Sequence, residues 1–171
     1  LKKINIESSS FNDQVIYEPG FLKTGQGKPF SVFTPFKRRW IENFDMNFLD
    51  IAKPSKLKKS YSIQGDLSKL KFAKTHSANI DLWPAGESAA IEKLKNFLQS
   101  KAQSYSESRN SPIIDGTSRI SPYLALGVLS PKRCILEGLK LNNFEFTSGN
   151  KGICKWIDEI VWREFYRNIM H

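Results

Sequence analysis

The stretch that most constrains this chain is the run Cys154–Arg167, Cys-Lys-Trp-Ile-Asp-Glu-Ile-Val-Trp-Arg-Glu-Phe-Tyr-Arg. Wound as a helix at about 100° per residue, it has two faces. Ile153, Ile157, Ile160 and Val161 fall on one side as an ordinary core seam. Trp156, Glu159, Trp162, Arg163 and Tyr166 gather on the other. A buried seam needs no acid and base among its aromatics. Glu159 and Arg163 stand at i and i+4, a spacing that predicts an ion pair. Trp162 and Tyr166 share that spacing and offer stacking surfaces. Such a face suits a flat ring with hydrogen-bonding edges, such as a nucleobase or a flavin. The plainer alternative makes Trp156 and Trp162 core residues and Glu159–Arg163 a solvated pair.

Charge narrows the partners. The chain of 171 residues has a net charge of +9, which favours a polyanion without naming it. Cys134 and Cys154 make no disulfide framework, and with only His76 and His171 no zinc site is expected. No apolar run approaches a membrane span and no signal peptide is visible, so no membrane partner and an intracellular, cytoplasmic location are expected. The chain starts at Leu1 and stops at Ile169-Met170-His171 with a helical pattern still running, which reads as a fragment.

Upstream, residues 1–45 alternate short apolar runs with turns. Asp13–Tyr17 reads as a strand, Glu18-Pro19-Gly20 and Thr24–Gly27 as turns, and Phe30–Phe33 as a second strand. Pro35 then opens a helix from Phe36 to Phe44 with Thr34 as its cap. Strand followed by helix fits the tail of an α/β sheet domain. Gly25 and Gly27 lack the context of a nucleotide-binding loop. Residues 46–85, with lysines crowded from Lys53 to Lys74, read as a basic interdomain linker. It is either a solvated connector or a flank that touches phosphates. From Glu87 a helix carries Ala90, Ile91, Leu94, Phe97 and Leu98 on one stripe.

The second informative stretch follows. Tyr105 and Arg109 lie one helical turn apart, and a break at Asn110-Ser111-Pro112 leads to the polar loop Asp115–Pro122. Ser121-Pro122 and Ser130-Pro131 each look like an N-cap with a first-turn proline. Gly116 lets backbone N–H groups approach closely, and Thr117, Ser118 and Ser121 add hydroxyls. With a helix N-terminus behind it, the loop predicts an anion seat of pyrophosphate size. A capped turn with nothing bound is the alternative.

Taken in order, Tyr105-x-x-x-Arg109, the run Gly116–Pro131 (G-T-S-R-I-S-P-Y-L-A-L-G-V-L-S-P) and Trp156–Tyr166 (W-I-D-E-I-V-W-R-E-F-Y) resemble the FAD-binding domain of the DNA photolyase/cryptochrome family. Val32-Phe33-Thr34-Pro35-Phe36 resembles the last strand and helix of that family's N-terminal domain. The resemblance covers nearly the whole chain, is weakest in the lysine-rich linker, and is closest to class I cyclobutane pyrimidine dimer photolyases. It implies a mainly α fold: the N-terminal part of a helical FAD-binding domain at 86–171, preceded by the tail of an α/β domain at 1–45 and a linker at 46–85.

It further implies a carbon–carbon lyase, in which excited reduced FAD splits pyrimidine dimers in UV-damaged DNA. A monomer is expected, with an antenna chromophore of folate or deazaflavin type whose site lies outside this stretch. Carried over by position, Tyr105, Thr117, Ser118, Arg119, Ile120, Ser121, Trp156 and Arg163 are expected at the FAD. Arg109 and the run Glu159, Ile160, Val161, Trp162, Arg163, Glu164, Phe165 and Tyr166 are expected at DNA, with Glu159 and Trp162 catalytic. The flavin ring's main holders and its photoreducing tryptophans lie farther along in the family, so this stretch alone is expected to be inactive. A cryptochrome-type photoreceptor and a six-four photolyase are the related alternatives, and a cofactor-free basic nucleic-acid-binding domain is the unrelated one. Glu159 with Trp162, and the T-S-R-I-S form of the loop, favour repair.

Overall fold

A computed structural model of the chain describes residues 7–8, 12–51 and 81–171. Most of the linker, with Lys53 to Lys74, lies outside the described residues. The helices are α1 (Phe33–Glu42), α2 (Glu87–Ser100), α3 (Tyr105–Ser108), α4 (Ser121–Ala125), α5 (Pro131–Leu141) and α6 (Lys151–Ile169), with 3-10 turns at Met46–Leu49 and Ala102–Ser104. The fold is mainly α, as expected. No helix among the described residues is long and apolar enough to cross a membrane.

The longest helix, α6, is the hub. Asn150 caps it, its side chain accepting from the Ile153 N–H at 3.0 Å. It packs against α1, α3, α5 and the turn Ala102–Ser104. Its seam Ile153, Ile157, Ile160 and Val161 is buried as predicted. α2 starts at Glu87 as expected and buries Ala90, Leu94, Phe97 and Leu98. Two glycines permit close approach. A Cβ at Gly138 of α5 would lie 3.0 Å from Trp156 Cζ3. One at Gly152 of α6 would overlap the Ala102 and Gln103 carbonyl oxygens and lie 2.6 Å from the Gln103 carbonyl carbon.

The N-terminal expectations need correction. Among the described residues there is no strand. Val15 and Tyr17 are buried, as a strand with one apolar face would bury them. Their segment has no sheet neighbour among the described residues, and α6 side chains take its N–H groups instead. Glu164 Oε2 accepts from Ile16 N at 2.9 Å and Oε1 from Tyr17 N at 2.8 Å. Oε1 also accepts from Trp40 Nε1 at 3.0 Å, and Asn168 Oδ1 accepts from Gly20 N at 2.9 Å. α1 begins at Phe33 rather than Phe36, so Thr34 and Pro35 lie inside its first turn, where a missing N–H leaves no bond unmade. Val32 occupies the cap position without a side-chain bond. Phe36 and Trp40 of α1 enter one apolar cluster with Leu94, Trp156 and Phe165, so one core runs from the N-terminal segment into the helices.

Glu164 is 5 % exposed, and burial pushes its carboxyl up to about 7 against the pull of its three N–H donors and Arg163. The unfolded carboxyl ionises near 4.5, whereas the folded one holds its proton until about 7. Stability from this group is therefore greatest below 4.5 and declines as pH rises through 7, by about 3 kcal/mol at most. Thermal melts from pH 4.5 to 8 should slope downward more steeply in the wild type than in Glu164→Gln. Parallel slopes would refute this.

Candidate functional site

The docking of α3 on α6 decides who pairs with whom. Arg109, just past the end of α3, stands over the Tyr105 ring at 5.6 Å and forms an ion pair with Glu159. Lys155 lies 3.8 Å from the same carboxylate. Hydrogen bonding to Glu159 raises the pKa of Arg109, and burial followed by the charge of Glu159 raises that of Tyr105. The predicted Glu159–Arg163 pair is thus corrected: the long-range cation displaces the local one. Arg163 instead donates to the carbonyl oxygens of Gln14 at 2.6 Å and Leu124 at 3.1 Å, tying the N-terminal segment and α4 to α6. Burial, then Arg167, lowers the pKa of its guanidinium.

Access divides the run 159–166. Ile160, Val161, Glu164 and Phe165 are buried, so their side chains present no surface to DNA in this structure. Glu159, Trp162 and Arg163 are half-buried and Tyr166 is 55 % exposed. These four repeat at i, i+3, i+4 and i+7, one helical face. Trp162 stacks on Phe33 of α1, with centroids 3.8 Å apart and planes 10° apart, and on Tyr166 at 5.5 Å and 30°. Trp156 does not share this face. It is 2 % exposed, tilted against Phe97 at 5.3 Å and seated over Gly138.

The loop 115–121 also departs from expectation. Gly116 is pressed against Ser108, whose side chain a Cβ would overlap. Asp115 bridges Lys101 at 2.8 Å and Arg119 at 2.9 Å, and the hydrogen bond from Lys101 foremost lowers its pKa. Arg119 adopts φ +52°, and its carbonyl accepts from Trp83 Nε1 at 2.9 Å. Thr117, Ser118 and Arg119 open, with Lys93 and Lys101, onto a cleft of about 370 Å³ against α2. Ile120 is buried. Ser121 faces a second cleft of about 450 Å³, with Leu124, Arg163, Tyr166, Arg167 and Met170. Thr117 and Ser121 thus open onto different clefts on either side of Arg119. Ser121 and Ser130 make no side-chain cap, and the cap position of α4 falls on Ile120.

The hydroxyls of the first cleft suit phosphate oxygens, while Asp81, Glu92 and Asp115 there offset the charge of Lys93, Lys101 and Arg119. Guanidiniums beside apolar walls in the second suit an anionic ligand that also carries a flat apolar part. Among the described residues no group of three His, Cys, Asp or Glu could hold a metal ion. Phe33 and Asp115 were missed as participants. The signal for Phe33 was weak, because an aromatic at a helix start points nowhere in particular. Asp115, four residues before Arg119, was the better clue.

A family model described as DNA photolyase matches residues 1–57. A deoxyribodipyrimidine photo-lyase of Escherichia coli K12 is 35 % identical over 166 residues, covering 97 % of this chain and 35 % of that protein. One from Neurospora crassa is 32 % identical over 93 % of this chain and 28 % of its own length. A crystal structure described as a bacterial class III photolyase from Agrobacterium tumefaciens matches with TM-score 0.70 and 32 % identity, over 94 % of this chain and 34 % of that one. The chain spans about a third of the length of these relatives.

Proposed function

We propose that the chain belongs to the DNA photolyase family and that the protein carrying it repairs UV-damaged DNA by light, as a lyase that splits cyclobutane pyrimidine dimers. One observation carries the assignment of roles: the Arg109–Glu159 pair lies on the same α6 face as the Trp162–Tyr166 stack. A polar edge beside aromatic faces suits a base turned out of its helix, and a damaged base costs less to turn out than a paired one. Glu159 offers its carboxyl to the base edge. Trp162 and Tyr166 offer ring surface, and Arg109 and Arg167 offer charge to phosphate.

The cofactor in this reading is FAD. Thr117, Ser118 and Arg119 in one cleft, and Ser121, Arg163 and Arg167 in the other, fit its anionic portion, beside the apolar walls of Leu124 and Met170. When bound and reduced it supplies, on absorbing blue or near-ultraviolet light, an electron that opens the dimer and is then returned. Arg163 anchors the cleft by holding α4 and the N-terminal segment to α6. We assign 86–171 to the cofactor-binding region and 1–45 to the end of the preceding domain, and take the protein to act as a monomer.

The test is to purify the protein, record its absorption, and follow recovery of thymine absorbance in illuminated oligonucleotides carrying a thymine dimer. Flavin absorption with light-dependent recovery is expected. Glu159→Ala should slow recovery at least roughly tenfold by removing a group that stabilises charge on the dimer carbonyls. Trp162→Ala should weaken damaged-DNA binding by about tenfold. Flavin without recovery would make the protein a photoreceptor, and no flavin at all would make it a basic binding module.

A further inference from the structure

We propose that Phe33 is a positioning residue of this site, holding the Trp162 indole in the plane in which it meets a turned-out pyrimidine. The inference rests on Trp162 being the base-stacking residue. Aromatic pairs usually settle into offset or edge-on arrangements, with centroids about 4.5–7 Å apart. Phe33 and Trp162 are closer and nearly parallel, at 3.8 Å and 10°. One face of the indole is therefore filled by a residue of α1, and Tyr166 leans against Trp162 at 5.5 Å and 30°, so a ligand is left the indole edge and the part of the ring that Tyr166 leaves open.

Phe33 is itself held from behind. It meets Phe165 edge-on at 5.8 Å, and Phe165 is buried against Phe36 at 5.2 Å. One turn along α1, Lys37 pairs with Asp158 of α6 at 2.6 Å, so α1 is fixed to α6 at a second point next to the same face. The ring is thus braced by core on one side and braces Trp162 on the other. Without it the indole keeps only the edge contact with Phe165 and the tilted Tyr166, gains freedom about its side-chain bonds, and a base would have to order it on arrival.

The test compares Phe33→Leu, which keeps bulk and loses the stack, with Phe33→Tyr, which keeps both. Affinity is measured by fluorescence anisotropy for an oligonucleotide with one thymine dimer and for the same oligonucleotide undamaged. Phe33→Leu should weaken binding of the damaged strand by about three- to tenfold while undamaged binding changes by less than about twofold. Phe33→Tyr should restore discrimination, and Phe33→Leu should add nothing to Trp162→Ala. Unchanged discrimination in Phe33→Leu, or equal losses on both strands, would overturn the proposal, provided Trp162→Ala lowers discrimination. If Trp162→Ala lowers nothing, it is the assignment of Trp162 to a base that fails.

Discussion

Glu164→Ala should lower the free energy of unfolding by about 3–5 kcal/mol. The carboxyl group is the acceptor for the Ile16, Tyr17 and Trp40 N–H groups, and among the described residues no strand lies ready to replace it. Truncation leaves those donors without their partner, those of Tyr17 and Trp40 in buried surroundings, and each orphaned buried donor costs roughly 1–3 kcal/mol. A cavity adds to this. Since a domain of this size is stable by about 5–15 kcal/mol, the variant should be marginal. Glu164→Gln keeps one acceptor oxygen and should lose only about 1–2 kcal/mol. Urea titrations followed by tryptophan fluorescence suit the measurement, because Trp40 is one of the donors. A loss below about 1 kcal/mol in Glu164→Ala would mean that the segment finds other acceptors.

Gly152→Ala should cost about 2–3 kcal/mol, although alanine is the better helix former by about 1 kcal/mol. The added methyl meets the Ala102 and Gln103 carbonyl groups, which are backbone and cannot rotate aside. α6 must lift from the turn Ala102–Ser104, and that turn leads directly into Tyr105 and Arg109. The same substitution at Gly25, where nothing lies within 4 Å, provides the control and should change stability by less than about 1 kcal/mol. Equal behaviour of the two variants would refute the packing argument. Loss of damaged-DNA discrimination in Gly152→Ala alone would also place the α3–α6 contact upstream of the site.

Much of α6 was legible because helical periodicity reports burial directly: Ile153, Ile157, Ile160 and Val161 all lie in the core. The seam continues, however, to Glu164, seven residues past Ile157, and to Asn168, both buried. Polar residues on an apolar stripe were the available signal that α6 grips something, whereas the family resemblance placed Glu164 with the DNA-facing residues. Val15 and Tyr17 show the converse. Alternation gives which side chains point inward but is silent about what accepts the N–H groups, so a segment bonded to helix side chains is indistinguishable from a strand. Glu159 and Arg163 had the right local spacing and lost to Arg109, a partner fifty residues earlier that only the packing of α3 brings near. In the loop, hydroxyl content was readable. The positive φ at Arg119, which turns Thr117 and Ser121 to different clefts, was not, because arginine carries no preference for that conformation.

The grip of Glu164 on Ile16 joins residues 148 positions apart. At a synthesis rate of roughly 5–20 residues per second, the early segment leaves the ribosome about 7–30 s before its acceptor does. During that interval Val15, Tyr17, Phe36 and Trp40 have no helix to close over them. A nascent chain stalled before α6 is therefore expected to bind holding chaperones, and pausing within the α6 codons to lengthen that exposure.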